Sequence, residues 1–327
     1  MQYLFHKRYE GPITDHFDGS RFYHTEMNFT IPEVIKWQLT REPKEWPEWI
    51  ENKRYPKPEI KVGKGDLKVT FINHATTLIQ FDEINVLTDP IWSERASPVS
   101  FAGPKRVRKP GVDLDALPPI NIVLISHNHY DHLDLWTLQE LKKKFNPVIY
   151  VGLGLKEFLN DQELENVNEM DWWQKDSTTF SNTSIAFVPS RHNTQRGIVD
   201  ADETLWGGFV ITTSKGPIYF SGDTGYGKFL KEINKRYPAF RLGILPVGAF
   251  EARWFMYTHH MNPEDAVKAH KDLNINQSIG IHFGTFDELT DEGYDEPQIE
   301  LSKALKKHSV DSTKFLILDF GETLEIK

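Results

Sequence analysis

Short apolar runs alternate with helical patterns along most of the chain after about residue 65. The runs are rich in Val, Ile and Phe, as expected for strands that are buried on both faces. The predicted strands are Leu67–Ile72, Thr77–Phe81, Asn85–Leu87, Ile120–Ile125, Val148–Val151, Ser184–Val188, Gly208–Thr212, Ile218–Phe220, Leu242–Leu245, Ser278–Ile281 and Phe315–Leu318.

Helices are predicted between several of these strands. Asn262 followed by Pro263 gives an N-cap and a proline at the first helical position, and another helix begins at Pro297. Strands and helices therefore alternate, which favours one large α/β domain with helices covering central sheets. A further helix is indicated by four apolar residues at helical spacing, Leu135, Leu138, Leu141 and Phe145.

The first 65 residues have a different character, because they are rich in turns, prolines and aromatic residues. We expect residues 1–65 to form an irregular arm, with a short helix near Ile31–Leu39, packed on a hydrolase domain of residues 66–327. The apolar run at the start, Tyr3–Phe5, is too short for a signal peptide, and no run is long enough to span a bilayer. These features predict a cytoplasmic protein or one bound peripherally to a membrane.

Composition narrows the class of protein. Among 327 residues, 47 are acidic and 38 are basic, which gives a net charge of −9. A general nucleic-acid-binding protein is expected to carry the opposite balance, so no nucleic-acid partner is predicted. The chain contains no cysteine, which excludes thiol nucleophiles, disulfides and metal sites with a Cys ligand.

The segment after the predicted strand Ile120–Ile125 is the strongest chemical signal, because histidines recur in it at alternating positions. Alternate residues of an extended chain point the same way, so we expect His127, His129 and Asp131 to converge on one spot. His132 would then turn in from the start of the next helix. Imidazole and carboxylate ligands at this density suit zinc.

Three more candidates follow predicted strands, at the ends where open α/β sheets build their sites: His192, Asp223 and His282. The complete set has five histidines and two aspartates. It suffices for two metal ions with three terminal ligands each and a bridging carboxylate. Two metals about 3.5–4 Å apart would clamp the attacking and leaving oxygens of a displacement, and they would bring the pKa of a shared water near ~7.

The order of these ligands, His-x-His-x-Asp-His, then His, Asp and His, resembles the metallo-β-lactamase superfamily. Longer stretches resemble one branch of it, N-acylphosphatidylethanolamine-hydrolysing phospholipase D and its bacterial relatives. These stretches include Phe71–Thr76, Leu87–Ile91, Ser126–Asp134, Gly222–Tyr226, Arg253–Met256 and His282–Phe286.

The resemblance implies a metallo-β-lactamase-like four-layer αβ/βα sandwich with two zinc ions. By motif position, one zinc would be held by His127, His129 and His192. The other would be held by Asp131, His132 and His282, with Asp223 as the bridge. The implied reaction is hydrolysis of N-acylphosphatidylethanolamine-like phospholipids to N-acylethanolamine and phosphatidic acid by attack of a metal-bound hydroxide on phosphorus. Peripheral membrane contact and a homodimer are also implied.

The resemblance also implies residues that act on the substrate. Tyr130 and His260 match positions near its phosphate, and His260 would assist proton transfer beside the catalytic Asp131 and Asp223. Further substrate contacts are expected from Trp254, Tyr257 and His259, of which His259 stands where a Gln is usual. The apolar run 254–257 lines an acyl groove or belongs to the core.

Two further interpretations remain open on sequence alone. The basic loop Lys105–Lys109 contacts anionic head groups or is an ordinary solvated loop. The hydrolytic centre acts on phospholipid or on a soluble phosphodiester or lactone, and dependence of the rate on vesicles would distinguish these. An alternative of another class is a non-catalytic lipid-binding protein built on a hydrolase fold.

Overall fold

The apolar runs form two mixed β-sheets in the structure, a computed structural model that describes residues 9–26, 31–180, 183–287 and 289–327. In spatial order, the first sheet contains β14 (Thr323–Glu325), β1 (Leu67–Asn73), β2 (Thr76–Phe81), β3 (Ile84–Thr88), β4 (Ile122–Leu124), β5 (Val148–Gly152) and β6 (Val167–Met170). The second contains β13 (Phe315–Leu316), β12 (Ile275–Ile281), β11 (Phe240–Pro246), β10 (Gly216–Phe220), β9 (Gly208–Thr213), β8 (Ser184–Val188) and β7 (Lys175–Asp176).

Strand direction decides which strand ends lie together. Strands β3 to β6 are parallel in the first sheet, and β10 to β13 are parallel in the second. Strand β8 is antiparallel to β9, which is antiparallel to β10, so β8 and β10 run the same way. Side chains that follow β8, β10 and β12 are therefore presented at one edge of the second sheet.

Successive side chains of a strand point to opposite faces of its sheet, so neighbouring residues of one strand belong to two different apolar cores. In β1, Phe71 belongs to a cluster shared by both sheets, whereas Ile72 belongs to a cluster of the first sheet and its helices. Leu124 and Val123 of β4 divide in the same way. The first sheet is therefore covered by apolar residues on both faces, which explains its nearly continuous apolar runs.

Helices complete the layers. They are α1 (Ile31–Leu39), α2 (Leu135–Phe145), α3 (Lys156–Asn160), α4 (Phe229–Arg236), α5 (Arg253–Met256), α6 (Pro263–Asp272) and α7 (Glu296–Lys307). Helices α2 and α3 share a core with the first sheet, whereas α4, α6 and α7 contribute to the core that contains the second. The Asn262 side chain accepts a hydrogen bond from the Asp265 amide at 2.8 Å, which confirms the predicted N-cap of α6.

The predicted strands and helices are confirmed with shifted ends, and the architecture is the expected α/β sandwich of two mixed sheets with helices. Three strands were not predicted: β6 is half polar, β7 has two residues and β14 has three. Helix α4 was missed because most of its residues are polar or charged, although Leu230 and Ile233 pack inward. The hydrophobic periodicity that predicts secondary structure is a weak signal where an element is short or mostly exposed.

The described part of the first 65 residues contributes to the core. Phe17 and Phe22 are buried in the cluster shared by both sheets, and α1 stacks Trp37 on Phe255 with ring centroids 5.0 Å apart. The division of the chain at residue 65 stays a prediction, and residues Met1–Arg8, where a signal peptide would begin, lie outside the described residues. Among the helices in the described ranges, none has the length and apolar character needed to cross a membrane.

Candidate metal centre

Four of the predicted ligands lie just beyond strand ends. His127 follows β4, His192 follows β8, Asp223 follows β10, and His282 directly follows β12. The buried strands fix these positions, so the side chains need little further ordering when they meet.

The remaining ligands are presented by a turn. The amides of His132 and Leu133 both donate to the His129 carbonyl, at 3.1 and 2.9 Å. The expectation that extended chain alone aligns Asp131 with His127 and His129 is therefore wrong, because the chain turns at residues 129–132. His132 lies in this turn, before α2 begins at Leu135, and not on the helix.

A first group of ligand atoms contains three imidazole nitrogens. His129 Nδ1 lies 2.9 Å from His127 Nε2 and 3.3 Å from His192 Nε2. The three side chains offer nitrogen atoms at distances that could hold one metal ion. The first sheet supplies two of them and the second sheet supplies the third.

A second group lies beside the first. Asp131 Oδ2 is 3.4 Å from both His132 Nε2 and His282 Nε2. Asp223 Oδ2 is 3.1 Å from His132 Nε2, 3.0 Å from His282 Nε2 and 3.9 Å from His192 Nε2. The Asp223 carboxylate therefore lies within reach of nitrogens from both groups.

Asp89 orients the predicted ligands His132 and, through Ser126, His127. It was not among the residues predicted for the site. Its carboxylate accepts hydrogen bonds from the Ser126 amide at 2.7 Å and hydroxyl at 2.6 Å, and it lies 2.6 Å from His132 Nδ1. Ser126 Oγ in turn lies 2.8 Å from His127 Nδ1. Such contacts to the outward nitrogen fix the ring and direct its other nitrogen toward a metal.

His74 is the second residue that the sequence analysis did not assign. Its Nε2 lies 2.9 Å from Asp131 Oδ2, and its ring centroid lies 4.1 Å from that of His282. Both His74 and Asp89 follow a strand of the first sheet, β1 and β3. The rule that located His192, Asp223 and His282 applies to these strand ends too and would have found both residues.

Positive φ angles occur at several residues of the site, and two of them bear directly on the ligands. Gly222, just before Asp223, has φ +58, and a Cβ atom there would lie 2.4 Å from Ser126 Cβ. His282 has φ +64, a left-handed conformation that costs energy for a residue with a Cβ. The close approach of the two sheets thus requires glycine at position 222, and the surrounding structure holds His282 in a strained conformation.

Opposite charges dominate the second group. Burial lowers the pKa of His132, but the carboxylates of Asp223, Asp131 and Asp89 outweigh burial and raise it well above the usual value. Burial also lowers the pKa of His282, but the carboxylates of Asp223, which has the largest effect, and Asp131 outweigh burial and raise this pKa to about 9. Burial raises the pKa of Asp131 and Asp223, yet the facing imidazolium groups hold both well below the usual value.

The first group stays neutral. Burial is the main cause that lowers the pKa of His127 and His192 well below the usual value, and that of His129 to about 4. A neutral imidazole keeps the lone pair that a metal ion binds. The two groups therefore differ, since one holds neutral nitrogens and the other holds carboxylates that a cation must balance.

Unpartnered atoms test whether metal ions fit these residues. Among the described residues, Asp223 Oδ1 is buried without a hydrogen-bond partner, and His132 Nε2 and His282 Nε2 face carboxylate oxygens at 3.0–3.1 Å without the geometry of a hydrogen bond. A buried polar atom without a partner costs roughly 1–3 kcal/mol, more if charged. Nitrogen and oxygen donors gathered in this way fit metal ions such as zinc, which accept both.

Comparison with known proteins places this arrangement in a family. Residues 84–283 match the family described as the beta-lactamase superfamily domain. The N-acyl-phosphatidylethanolamine-hydrolyzing phospholipase D 1 of Caenorhabditis elegans is 37% identical over 270 residues, which cover 79% of this chain and 76% of that protein. The chain belongs to the metallo-β-lactamase superfamily. Within it, the chain falls in the branch that resembles this phospholipase D, as the sequence predicted.

Other members support the same placement. An uncharacterized protein of Mycobacterium tuberculosis is 36% identical over 263 residues, which cover 78% of this chain and 69% of that protein. The structure of a possible metal-dependent hydrolase from Veillonella parvula aligns with a TM-score of 0.64 at 18% identity, covering 80% of this chain and 99% of that one. This structural likeness shows the fold. Together with the family match and the phospholipase D relative, the candidate ligand groups identify a metal-dependent hydrolase.

Two of the substrate-binding candidates, His260 and His259, lie close to the predicted ligands. His260 Nδ1 is 3.7 Å from Asp223 Oδ2, and the His260 ring lies 5.0 Å from that of His192. Burial lowers the pKa of His260 to about 3, so its imidazole is neutral at ordinary pH. His259 contributes its backbone, because its carbonyl lies 3.1 Å from His192 Nδ1.

The aromatic candidates are less buried. Trp254 and Tyr257 are 42% and 50% exposed, while Met256 between them is buried, so the run is neither wholly core nor wholly surface. Tyr130 is half-buried, and its hydroxyl donates to the Arg196 carbonyl at 3.0 Å. Contacts of these side chains with a substrate stay predictions.

The basic loop does not present all its charges to solvent. Arg106 is buried, and its guanidinium donates to the carbonyls of Ser93 and Ile91. Arg108 is partly buried and lies 4.2 Å over the Phe320 ring. Arg106 therefore supports the loop, and only Lys105 and Lys109 of its bases are exposed for an anionic head group.

Proposed function

We propose that the protein is a dizinc phosphodiesterase of phospholipase D type that hydrolyses N-acylphosphatidylethanolamine-like phospholipids to N-acylethanolamine and phosphatidic acid. The observation that carries the proposal is the position of Asp223 Oδ2. It lies within 3.1 Å of His132 Nε2 and His282 Nε2, and 3.9 Å from His192 Nε2. One carboxylate beside two groups of ligands suits a hydrolytic centre with two metal ions.

Each group would hold one zinc ion in this proposal, and Asp223 would bridge them. The first ion would take His127, His129 and His192. The second would take Asp131, His132 and His282. Bound zinc activates a water molecule at neutral pH and stabilises negative charge on a phosphoryl oxygen.

The chain's own residues orient the substrate. His260 stands beside Asp223 with a neutral imidazole, so its N–H is suited to donate a hydrogen bond to a phosphate oxygen, and a role in proton transfer would require the bound phosphate to raise its low pKa. Its backbone carbonyl accepts a hydrogen bond from Arg253 Nη1 at 2.8 Å, which fixes its position. Tyr130, which lies between the predicted ligands His129 and Asp131, is held by Arg196, and its ring would border the phosphate.

The names of two relatives support the proposed substrate class. At 37% identity over 79% of the chain, the Caenorhabditis elegans protein is named for hydrolysis of N-acyl-phosphatidylethanolamine. A Saccharomyces cerevisiae protein with the same enzyme name is 32% identical over 237 residues, although these cover only 50% of that protein. A diacyl phospholipid presents its phosphodiester at a bilayer surface, so the enzyme would work there.

An exposed apolar surface next to the site suits such contact. Ile35 and Leu39 of α1 are 54% and 81% exposed, and α1 packs on α5, which carries Trp254. Lys36 Nζ lies 4.5 Å over the Trp254 ring and places a positive charge on this surface. We call the surface formed by Ile35, Lys36, Leu39, Trp254 and Tyr257 the α1–α5 surface. Apolar side chains with flanking cations are typical of binding at a membrane interface.

Mass spectrometry of products tests the proposal. Zinc-loaded protein is incubated with vesicles that contain N-acylphosphatidylethanolamine, and metal content is measured in parallel. We expect N-acylethanolamine and phosphatidic acid in equal amounts, and two zinc ions per chain. Analytical ultracentrifugation of the same sample tests the homodimer.

Two variants control the experiment. Asp223→Asn should form no product and should hold fewer than two zinc ions. Asp272→Asn, which changes an exposed carboxylate that pairs with Tyr226, should behave as the unaltered protein. Hydrolysis of soluble phosphodiesters or lactones with none of vesicles would support the alternative substrate class. Vesicle binding without turnover would support a lipid-binding protein.

A further inference from the structure

Arg196 lies four residues after the ligand His192, and its side chain reaches the turn that carries the other sheet's ligands. Arg196 Nη1 donates to the carbonyls of Asn128 and Leu133, each at 2.8 Å. These carbonyls flank the turn 129–132. A single guanidinium nitrogen thus joins both ends of the turn.

The flat face of the Arg196 guanidinium makes a second contact with the turn, through Tyr130. Arg196 Cζ lies 4.0 Å from the centroid of the Tyr130 ring, and the Tyr130 hydroxyl donates to the Arg196 carbonyl at 3.0 Å. Tyr130 stands between the ligands His129 and Asp131. Arg196 therefore contacts the turn at its start, its middle and its end.

The backbone of Arg196 is itself fixed. Asp200 is buried, and its carboxylate accepts hydrogen bonds from the amides of Gly197, at 2.7 and 2.8 Å, and of Arg196, at 3.2 Å. The side chain thus starts from an ordered loop, so binding the turn costs the rotamer entropy of the side chain but little further backbone entropy.

We infer that Arg196 is a positioning residue of the metal centre, which holds the turn 129–132 against the segment that follows His192. The inference rests on the ligand assignment in the proposed function. Asn128 and Leu133 are buried, so loss of the guanidinium takes a donor from two buried carbonyls. The turn would rearrange to recover hydrogen bonds, and His129, Asp131 and His132 would move with it.

Zinc affinity, measured by competition with a chelator, tests this role in three variants. Arg196→Met keeps the apolar stem but has no donor, and we expect zinc to bind about 10- to 100-fold more weakly, as for other groups that orient metal ligands. Arg196→Lys should recover part of the affinity, because an ammonium group can donate to both carbonyls. Arg236→Met is the matched control, because exposed Arg236 lies 3.9 Å over the Trp173 ring and away from the ligands. It should bind zinc as the unaltered protein does.

Two further readouts distinguish positioning from general stability. The visible absorption of the cobalt-loaded protein reports ligand geometry, and it should change in Arg196→Met but not in Arg236→Met. Thermal unfolding with and without zinc should show a smaller zinc-induced rise in Arg196→Met than in the unaltered protein, in addition to any loss of stability that the two missing hydrogen bonds cause in the metal-free variant.

Unchanged zinc affinity with an unchanged cobalt spectrum in Arg196→Met would overturn the inference. A lower unfolding temperature of the metal-free variant with the full zinc-induced rise would also overturn it, since the role would then be stability alone. If the unaltered protein binds no zinc, the ligand assignment of the proposed function fails, and the positioning role fails with it.

Discussion

The metal-ligand cluster and the rim beside it are built in contrasting ways. The cluster contains the seven predicted ligands His127, His129, Asp131, His132, His192, Asp223 and His282. All seven sit at strand ends or in one tight turn, six of them are buried, and several have their outward atoms anchored by neighbours. A cluster of this kind is preorganised, so its geometry changes little with the ligand that enters.

The rim consists of Tyr130, Trp254, Tyr257 and His260. Its members come from the ligand turn and from α5 and the residues after it, and two of them are about half exposed. Such side chains adapt to what they bind and exclude little water on their own. The contrast suggests that the cluster sets the type of reaction, whereas the rim and the α1–α5 surface set the substrate. Changes to the cluster should therefore affect every substrate, and changes to the rim only some.

The largest effect is expected from Asp223→Asn, which removes the charge of the carboxylate between the two groups. Metal stabilisation of the transition state contributes several kcal/mol, and about 1.4 kcal/mol corresponds to a tenfold change in rate. We therefore expect hydrolysis to fall by at least about 10³-fold for vesicle and soluble substrates alike. Rates measured on both substrate types check this. A loss confined to vesicles would contradict the assignment of Asp223 to the cluster.

His260→Gln tests the boundary between cluster and rim. If His260 takes part in proton transfer, kcat should fall about 10²-fold. Zinc content should stay at its usual value, because the predicted ligands are intact. His308→Gln, which changes a histidine paired with Glu264 outside the site, is the matched control and should keep full kcat. Loss of zinc in His260→Gln would instead make His260 a ligand, as its place beside His192 and Asp223 permits.

Asp89→Asn tests whether the cluster depends on its anchoring groups. The variant weakens the contact with His132 Nδ1 while all predicted ligands remain, so zinc affinity should fall about 10- to 100-fold. Chelator competition measures this change. Asp291→Asn is the control, because Asp291 is also a buried carboxylate but accepts from Arg41 Nε at 2.8 Å and lies nine residues beyond the last predicted ligand, His282. It should lower stability and leave zinc affinity unchanged, and an equal loss of affinity in both variants would contradict the orienting role of Asp89.

The same contrast explains how much was predictable from sequence. The cluster was assembled from residue type and strand position alone, since buried strands give strong patterns and their ends are where sites form. The path of the chain at Asp131 is not predictable in this way, because a turn and an extended segment can bring the same side chains together. Asp89 and His74 also follow strands, but the seven residues of the prediction already suffice for two metal ions, so nothing in the count calls for further ligands.

The rim was harder to predict for physical reasons. Pattern alone left the run 254–257 undecided between core and groove, and the structure buries Met256 while exposing Trp254 and Tyr257. Arg106 was expected as one of four similar bases, yet the fold buries its guanidinium against backbone carbonyls. Exposure of a single side chain depends on tertiary packing, which a local pattern does not contain.

The smallest effect is expected on the α1–α5 surface. Ile35→Glu places a charge on the outward face of α1, and Ile60→Glu is its matched control, because Ile60 is 72% exposed and lies outside that surface. We expect Ile35→Glu to weaken binding to N-acylphosphatidylethanolamine vesicles by about threefold to tenfold, since a partly inserted isoleucine contributes less than full burial would. Vesicle sedimentation measures the binding. Hydrolysis of a soluble phosphodiester should not change in either variant, because the cluster is untouched. Equal losses in both variants would mean that any added negative charge repels the vesicle, and the α1–α5 surface would then have no special part in substrate choice.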